Sequence, residues 1–250
     1  MVNAAHTRLF LDLDGVFFDF EKSAIAILGE STKQAEAKGK KIWPILMEKN
    51  FFANLELMPG AQDLWNEILV FLKRSKQPVP IFLTGCPTSS PKNGPFLDPK
   101  DNIFRLQAEA GKKACVKRHF IKGEVHTISI LEEHKIVAAP VYQERLNELL
   151  GIVGPNDAIL ILCRPDQKNF FSLTLPIPIL LDDRDMAGPL WTEHPASIFI
   201  HHTSEPAKNN NNSTRATLSE KAIDKSIERL REMKGGNRRI THRKKRSHYS

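Results

Sequence analysis

The sequence predicts an α/β protein with a doubly wound, mostly parallel sheet, a Rossmann-like arrangement, and three observations carry that reading. Short apolar runs recur along the chain, each too short for a helix and bounded by turn residues. Segments of helical periodicity lie between them, the alternation that builds a parallel sheet covered on both faces. Most of these runs close on a polar or acidic residue. The carboxyl edge of such a sheet is where open α/β folds hold their ligands.

The first run, Arg8–Leu11, ends on Asp12, with Asp14 two residues later and Gly15 to turn the backbone sharply. Asp19–Leu28 reads as a helix that Gly29 caps. Ser31 with Gln34 makes a capping box for a second short helix. Lys40–Asn50 reads as a third, with Pro44 tolerated near its start. Phe51–Leu57 then leads into the turn Met58-Pro59-Gly60. Residues 19–58 are thus predicted to be a small helical cap inserted after the first strand. Residues 1–18 and 59–207 remain as the α/β core.

Leu64, Trp65, Ile68, Leu69 and Leu72 give Ala61–Lys73 a helical stripe. Val79–Leu83 is the next strand and closes on Thr84-Gly85. Cys86–Pro99, punctuated by Pro87, Pro91, Gly94 and Pro95, reads as a loop. Asn102–Phe120 is helical and basic. Residues 121–157 offer a strand at Val125–Leu131 and an amphipathic helix around Val141–Leu150. Ala158–Leu162 is a buried strand leading through Cys163-Arg164-Pro165 to Lys168. Pro176–Leu181 is another, ending on Asp182-Asp183; Pro178 places its start near a sheet margin or a bulge. Ser197–Ile200 runs into His201-His202-Thr203. Residues 208–216 are a low-complexity linker. Thr217 and Glu220 open a helix over 217–234 whose Ile223, Ile227 and Leu230 form one apolar stripe, predicted to dock on the core. Residues 235–250 are a solvated basic tail.

Charge is distributed unevenly. Of 36 basic and 29 acidic residues, 13 and 4 lie from Lys208 onward, a local balance of +9. Residues 1–207 keep 23 basic and 25 acidic residues, or −2, so the body need not be a nucleic-acid binder. The tail matches a nucleic-acid contact or an import-receptor signal. No apolar run approaches the ~20 residues that span a bilayer, and no signal-peptide core precedes the first strand. Three scattered cysteines suggest neither a disulfide framework nor a zinc site. The expected setting is intracellular, cytoplasmic or nuclear.

The strand ends present Asp12 and Asp14, Thr84, Lys168, then Asp182 and Asp183. As a set they suit phosphoryl transfer. A carboxylate can attack phosphorus and split one hard hydrolysis into two easier steps. Carboxylates with phosphate and water are the usual ligands of Mg2+. A lysine and a threonine hydroxyl can hold phosphoryl oxygens as charge spreads over them. A second carboxylate can move the protons.

In this order the motifs resemble those of the haloacid dehalogenase superfamily of phosphohydrolases. The resemblance implies that Asp12 is the nucleophile and that Asp14 is the general acid/base, its backbone carbonyl also serving the metal. It implies that Thr84 and a lysine are catalytic, and that Asp182 and Asp183 hold Mg2+, Asp182 the more directly. Lys168, after a strand end and before the Asp-Asp strand, is the lysine chosen, with Lys112 the other candidate and a second phosphate contact. Within the superfamily, Asp-Leu-Asp-Gly-Val-Phe-Phe-Asp-Phe-Glu, Glu48–Phe52, Leu57–Gly60 and Leu-Leu-Asp-Asp-Arg-Asp are similar to the 5′(3′)-deoxyribonucleotidases and related small-cap phosphatases. In that branch cap aromatics stack on a base, which places Phe20, Phe52 and Trp43 with the substrate, beside Gly85 and Lys112. Thr84 is followed by Gly-Cys-Pro where those enzymes have Ser-Pro, and Cys86–Pro99 is long. The expected substrate is a nucleoside monophosphate. The alternatives are another small phosphate ester, or a non-catalytic scaffold of this fold directed by its tail.

Overall fold

The structure, a computed structural model, describes residues 7–86, 99–130, 139–172, 177–184, 187–193, 197–202 and 225–232. Six strands form one all-parallel sheet: β1 (Thr7–Leu11), β2 (Ile81–Gly85), β3 (Val125–Ser129), β4 (Ala158–Cys163), β5 (Ile177–Asp182) and β6 (Ile198–His201). Their order is β3-β4-β2-β1-β5-β6. The chain winds from β1 to one side through β2, β3 and β4, then crosses to the other side for β5 and β6. Strand β1 lies at that reversal, and the crevice a reversal opens at the carboxyl edge is the expected ligand position.

Alternation along the strands builds a core on each face. Leu9, Leu11, Phe82, Leu160, Leu162, Ile179 and Leu181 face one layer. Phe10, Ile81, Leu83, Ile159, Ile161 and Leu180 face the other, where Phe10 meets Phe171 and Trp191 at ring separations of 5.7 and 5.6 Å. Burying one such ring is worth about 1.5–3 kcal/mol, and a strand buried on both faces collects that gain at every residue. This is why the runs read as continuous apolar stretches.

β1 pairs with β5 along its whole length, Thr7↔Ile177 to Leu11↔Leu181, but with β2 only at Phe10↔Ile81 and Leu11↔Phe82. The remaining edge is satisfied by one buried amide. Gln77 accepts from Leu9 N at 2.7 Å and donates to Leu9 O and Val79 O at 3.1 and 2.9 Å. β2 thus starts at Ile81, two residues later than its apolar pattern suggests, because Pro80 brings no N–H to a ladder. Pro178 sits in an interior strand, but pairing with β6 begins only at Ile179, so the proline occupies a locally uncovered position. β3, legible only as one possibility, is one of the sheet's two outer strands, beside β4.

The insertion is entered and left through paired backbone. Phe18 bridges Leu57 antiparallel, Asp19 N donates to Glu56 O, and Met58 N donates to Phe17 O. Between these points lie α1 (Phe20–Leu28), α2 (Thr32–Ala37), α3 (Ile42–Glu48) and a 3-10 turn at Phe51–Asn54. Asp19 caps α1, and Gly29 closes it at φ +77°. The Ser31–Gln34 capping box is formed. Two core helices follow, α4 (Ala61–Ser75) and α5 (Pro99–His119), the second opening on the proline where that residue is best tolerated. The 3-10 turn lies directly on α5: a Cβ on Gly111 would stand 2.8 Å from the Phe52 Cβ and 2.9 Å from Ala53 N. α6 (Ala139–Ile152) and α7 (Ala187–Trp191) cover the other side. Residues 225–232 are helical and bury Ser226, Ile227 and Leu230. The proline-rich stretch 87–98, the linker 208–216 and the tail 235–250 lie outside the described residues. No helix among the described residues is long and apolar enough to cross a membrane.

Candidate active site

Two strand ends bring three carboxylates together. The β1–β5 ladder continues one step past β1, Asp12 N donating to Leu181 O at 2.9 Å, which sets Asp12 beside the end of β5. Asp182 closes β5, and its carbonyl accepts from His202 N at 2.8 Å. Asp183 follows. One carboxylate oxygen from each of Asp12, Asp182 and Asp183 lies within 4.8 Å of the others.

The backbone between Asp12 and Asp19 folds tightly to allow this. Leu13 O accepts from Val16, Phe17 and Phe18 N, while Gly15 N donates back to Phe18 O. Gly15 has φ +81°, and a Cβ there would stand 2.1 Å from Asp183 Oδ2. Only glycine meets both demands, the left-handed backbone and the close approach.

Lys168 is carried by the 3-10 segment Pro165–Phe171 just after β4, where Arg164 N donates to Gln167 Oε1. Its ammonium lies 2.6 Å from Asp182 Oδ2 and 3.0 Å from Asp12 Oδ2, all three side chains buried. Burial works against the lysine's charge, but the two carboxylates outweigh it and hold the group above its usual value. One ammonium cannot balance three carboxylates. Burial, then the charges of Asp12 and Asp182, push the Asp183 carboxyl up to about 8, and Asp182 is raised by burial and by Asp12.

Asp14 points elsewhere. Its Oδ2 accepts from Lys112 Nζ at 2.6 Å, and the same ammonium donates to Thr84 Oγ1 at 2.9 Å and Gly85 O at 2.8 Å. Lys112 lies 4.8 Å from the centre of the Phe52 ring. The carboxylate of Asp14 is therefore outside the three-carboxylate cluster.

Phe52 is buried within an aromatic group. Trp43 stacks on it at 6.4 Å, while Phe20 and Phe51 meet it at 6.3 and 5.1 Å. Phe20 and Trp43 are half-buried. A crease between the insertion and α5 is lined by Met47, Asn50, Phe52, Gln107 and Gly111 among others.

The oxygens Asp12 Oδ1, Asp14 Oδ1 and Asp183 Oδ1 are buried and have no hydrogen-bond partner among the described residues. Orphaned acceptors of this kind are costly unless a donor or a cation completes them. A hard divalent ion fits: the donors are all oxygen, two orphaned atoms belong to the cluster, and the surplus charge is negative. Burial raises the thiols of Cys86 and Cys115 to about 11 and that of Cys163 to about 12, which disfavours the thiolate that a nucleophile would need.

Two contributions escaped the sequence. One is Gly15's seat for Asp183. The other is the engagement of Lys112 by Asp14, for which a signal existed. Ala108, Lys112, Cys115 and Val116 are buried at helical spacing on α5, with the lysine as the one charge in that stripe. No protein-family model matches the chain, and no curated protein matches it.

Proposed function

We propose that this chain is a Mg2+-dependent phosphomonoester hydrolase of the haloacid dehalogenase type, acting on nucleoside monophosphates through an aspartyl-phosphate. The observation that carries the reading is the convergence of Asp12, Lys168, Asp182 and Asp183 at the carboxyl edge, with Asp14 and Thr84 tied together beside them. A bound Mg2+ would be held by Asp12, Asp182, Asp183 and the Asp14 carbonyl, and would offset repulsion between the anionic nucleophile and the anionic ester.

The chain's own residues carry the bond changes. A carboxylate oxygen of Asp12 attacks phosphorus, and the bond from phosphorus to the ester oxygen breaks. Asp14, in its acid form, gives its proton to that leaving oxygen. Asp14 then takes a proton from water as the water attacks the aspartyl-phosphate, releasing inorganic phosphate and restoring Asp12. Lys168 and Thr84 hold the phosphoryl oxygens. The half-buried Phe20 and Trp43, with amides of Asn50 and Gln107 in the neighbouring crease, suit a flat, hydrogen-bonding leaving group such as a nucleoside. The basic tail is assigned to targeting or to polyanion contact in the cytoplasm or nucleus.

The test is phosphate release from para-nitrophenyl phosphate and from a panel of nucleoside, sugar and glycerol phosphates, with and without Mg2+. Turnover that needs Mg2+ and falls below about a hundredth in Asp12→Asn is expected, the isosteric variant remaining folded. No turnover on any ester would remove the enzymatic reading. Preference for a non-nucleotide ester would remove the nucleotide.

A further inference from the structure

We propose that Lys112 is a positioning residue that acts through Asp14 and Thr84, and is not a contact to the substrate's phosphate. The proposal rests on the phosphatase reading above. An ammonium has three donors. All three of Lys112 are taken within the protein, by Asp14 Oδ2, Thr84 Oγ1 and Gly85 O. The Phe52 ring covers the ammonium from a further side, and only 1% of the side chain is exposed. No donor is left for a phosphoryl oxygen. Lys168 differs, since among the described residues Asp12 and Asp182 occupy two of its donors and leave a third for a ligand.

What Lys112 does is fix directions. Its bond to Asp14 holds one carboxylate oxygen, so the other, Oδ1, keeps one orientation in the site. Its bond to Thr84 occupies a lone pair of the hydroxyl, which leaves the hydroxyl's own hydrogen for an anion. Fixed geometry of this kind acts on the reaction step more than on ground-state binding. Burying a lysine is costly unless it is fully paired, and here the insertion contributes to the pairing. Gly111 lets α5 close onto Phe52 and Ala53, which brings the ring over the ammonium. Phe52 therefore serves the site through Lys112.

The experiment compares Lys112→Met and Lys168→Met on para-nitrophenyl phosphate with Mg2+, with inorganic phosphate as a competitive ligand. Lys112→Met should lower kcat about a hundredfold while KM and the phosphate inhibition constant stay within about threefold. Lys168→Met should raise both constants tenfold or more. In an Asp14→Asn background, Lys112→Met should cost less than about tenfold further, because only one of the two groups it positions, Thr84, remains. A readout free of turnover is the side-chain carboxyl signal of Asp14 in 13C-aspartate-labelled protein, which should move in Lys112→Met and hold in Lys168→Met. Lys112→Gln, closer in polarity, serves if the methionine variant does not fold. An unchanged kcat, a phosphate constant that rises with KM, or an unmoved Asp14 signal would overturn the proposal. If the wild type hydrolyses no ester, the phosphatase reading fails on its own, and the Asp14 signal still decides whether Lys112 holds that carboxylate.

Discussion

At the scale of single residues, the site depends on an atom that is missing. Gly15 has no Cβ, and Asp183 Oδ2 occupies the space where one would be. Gly15→Ala meets two penalties: a left-handed backbone unsuited to alanine, and a short buried carboxylate that must be displaced. Together these should destabilise the protein by roughly 1–3 kcal/mol. They should also raise the Mg2+ concentration for half-maximal turnover about tenfold, since the displaced group belongs to the carboxylate cluster. A magnesium titration of the variant checks this, and an unchanged requirement would detach Asp183 from metal binding. Residue identities at the strand ends were legible because a buried apolar run that stops on Asp or Thr marks both the end of the strand and the chemistry. The Lys112–Asp14 pair was only half legible: the spacing of Ala108, Cys115 and Val116 sets Lys112 apart from Lys113, but its partner stands 98 positions away and nothing local points to it.

At the scale of elements, the helix at 225–232 is fastened to the strand that follows Asp182 and Asp183. Ser226 Oγ lies 2.9 Å from His202 Nδ1, and His202 N in turn supports the Asp182 carbonyl. Arg231 reaches Glu67 of α4 at 2.8 Å, an exposed pair of small energetic weight. Burial, with His201 nearby, lowers the His202 imidazole to about 4 from its ordinary 6.5. The unfolded chain therefore takes up this proton first as pH falls. The stability it confers is whole above about pH 6.5 and is lost progressively toward pH 4, with a ceiling on the order of 3 kcal/mol. Melting curves of wild type and His202→Gln at pH 7 and pH 4.5 check it: the wild type should lose more on acidification. Equal losses would show that other groups carry the acid sensitivity. Elements buried on both faces, such as β1, β4 and β5, could be read directly from sequence. β3 could not, because its Val125–Ser129 run is half-buried at three of five positions and has a partner on one side only.

At the scale of the whole molecule, the insertion does not stand apart from the sheet. Leu46, Met47, Phe51, Phe52 and Leu55 belong to the same buried cluster as Leu9, Leu11 and Leu181. Cutting out residues 19–58 and joining the ends with glycine and serine should expose that face, so the shortened chain should aggregate or lose its cooperative melt. A shortened chain that melts cooperatively near the wild-type temperature would make the insertion an independent lid. The fold class followed from the alternation of runs and helical stripes; this shared core did not, because its contacts join distant stretches. The sheet order has a further consequence, in the time course of synthesis. β1 leaves the ribosome first, yet its full-length neighbour is β5, some 170 residues later in the chain. Until Ile177–Asp182 emerges, β1 has only two paired positions on β2 and the Gln77 amide to occupy its backbone. Its other edge, all apolar from Leu9 to Leu11, stays open for that whole interval, the condition under which nascent α/β chains associate with one another or with chaperones. Asp12 and Asp182 therefore cannot meet before Ile177–Asp182 has been made, which sets the earliest point of synthesis at which the cluster of acids can form.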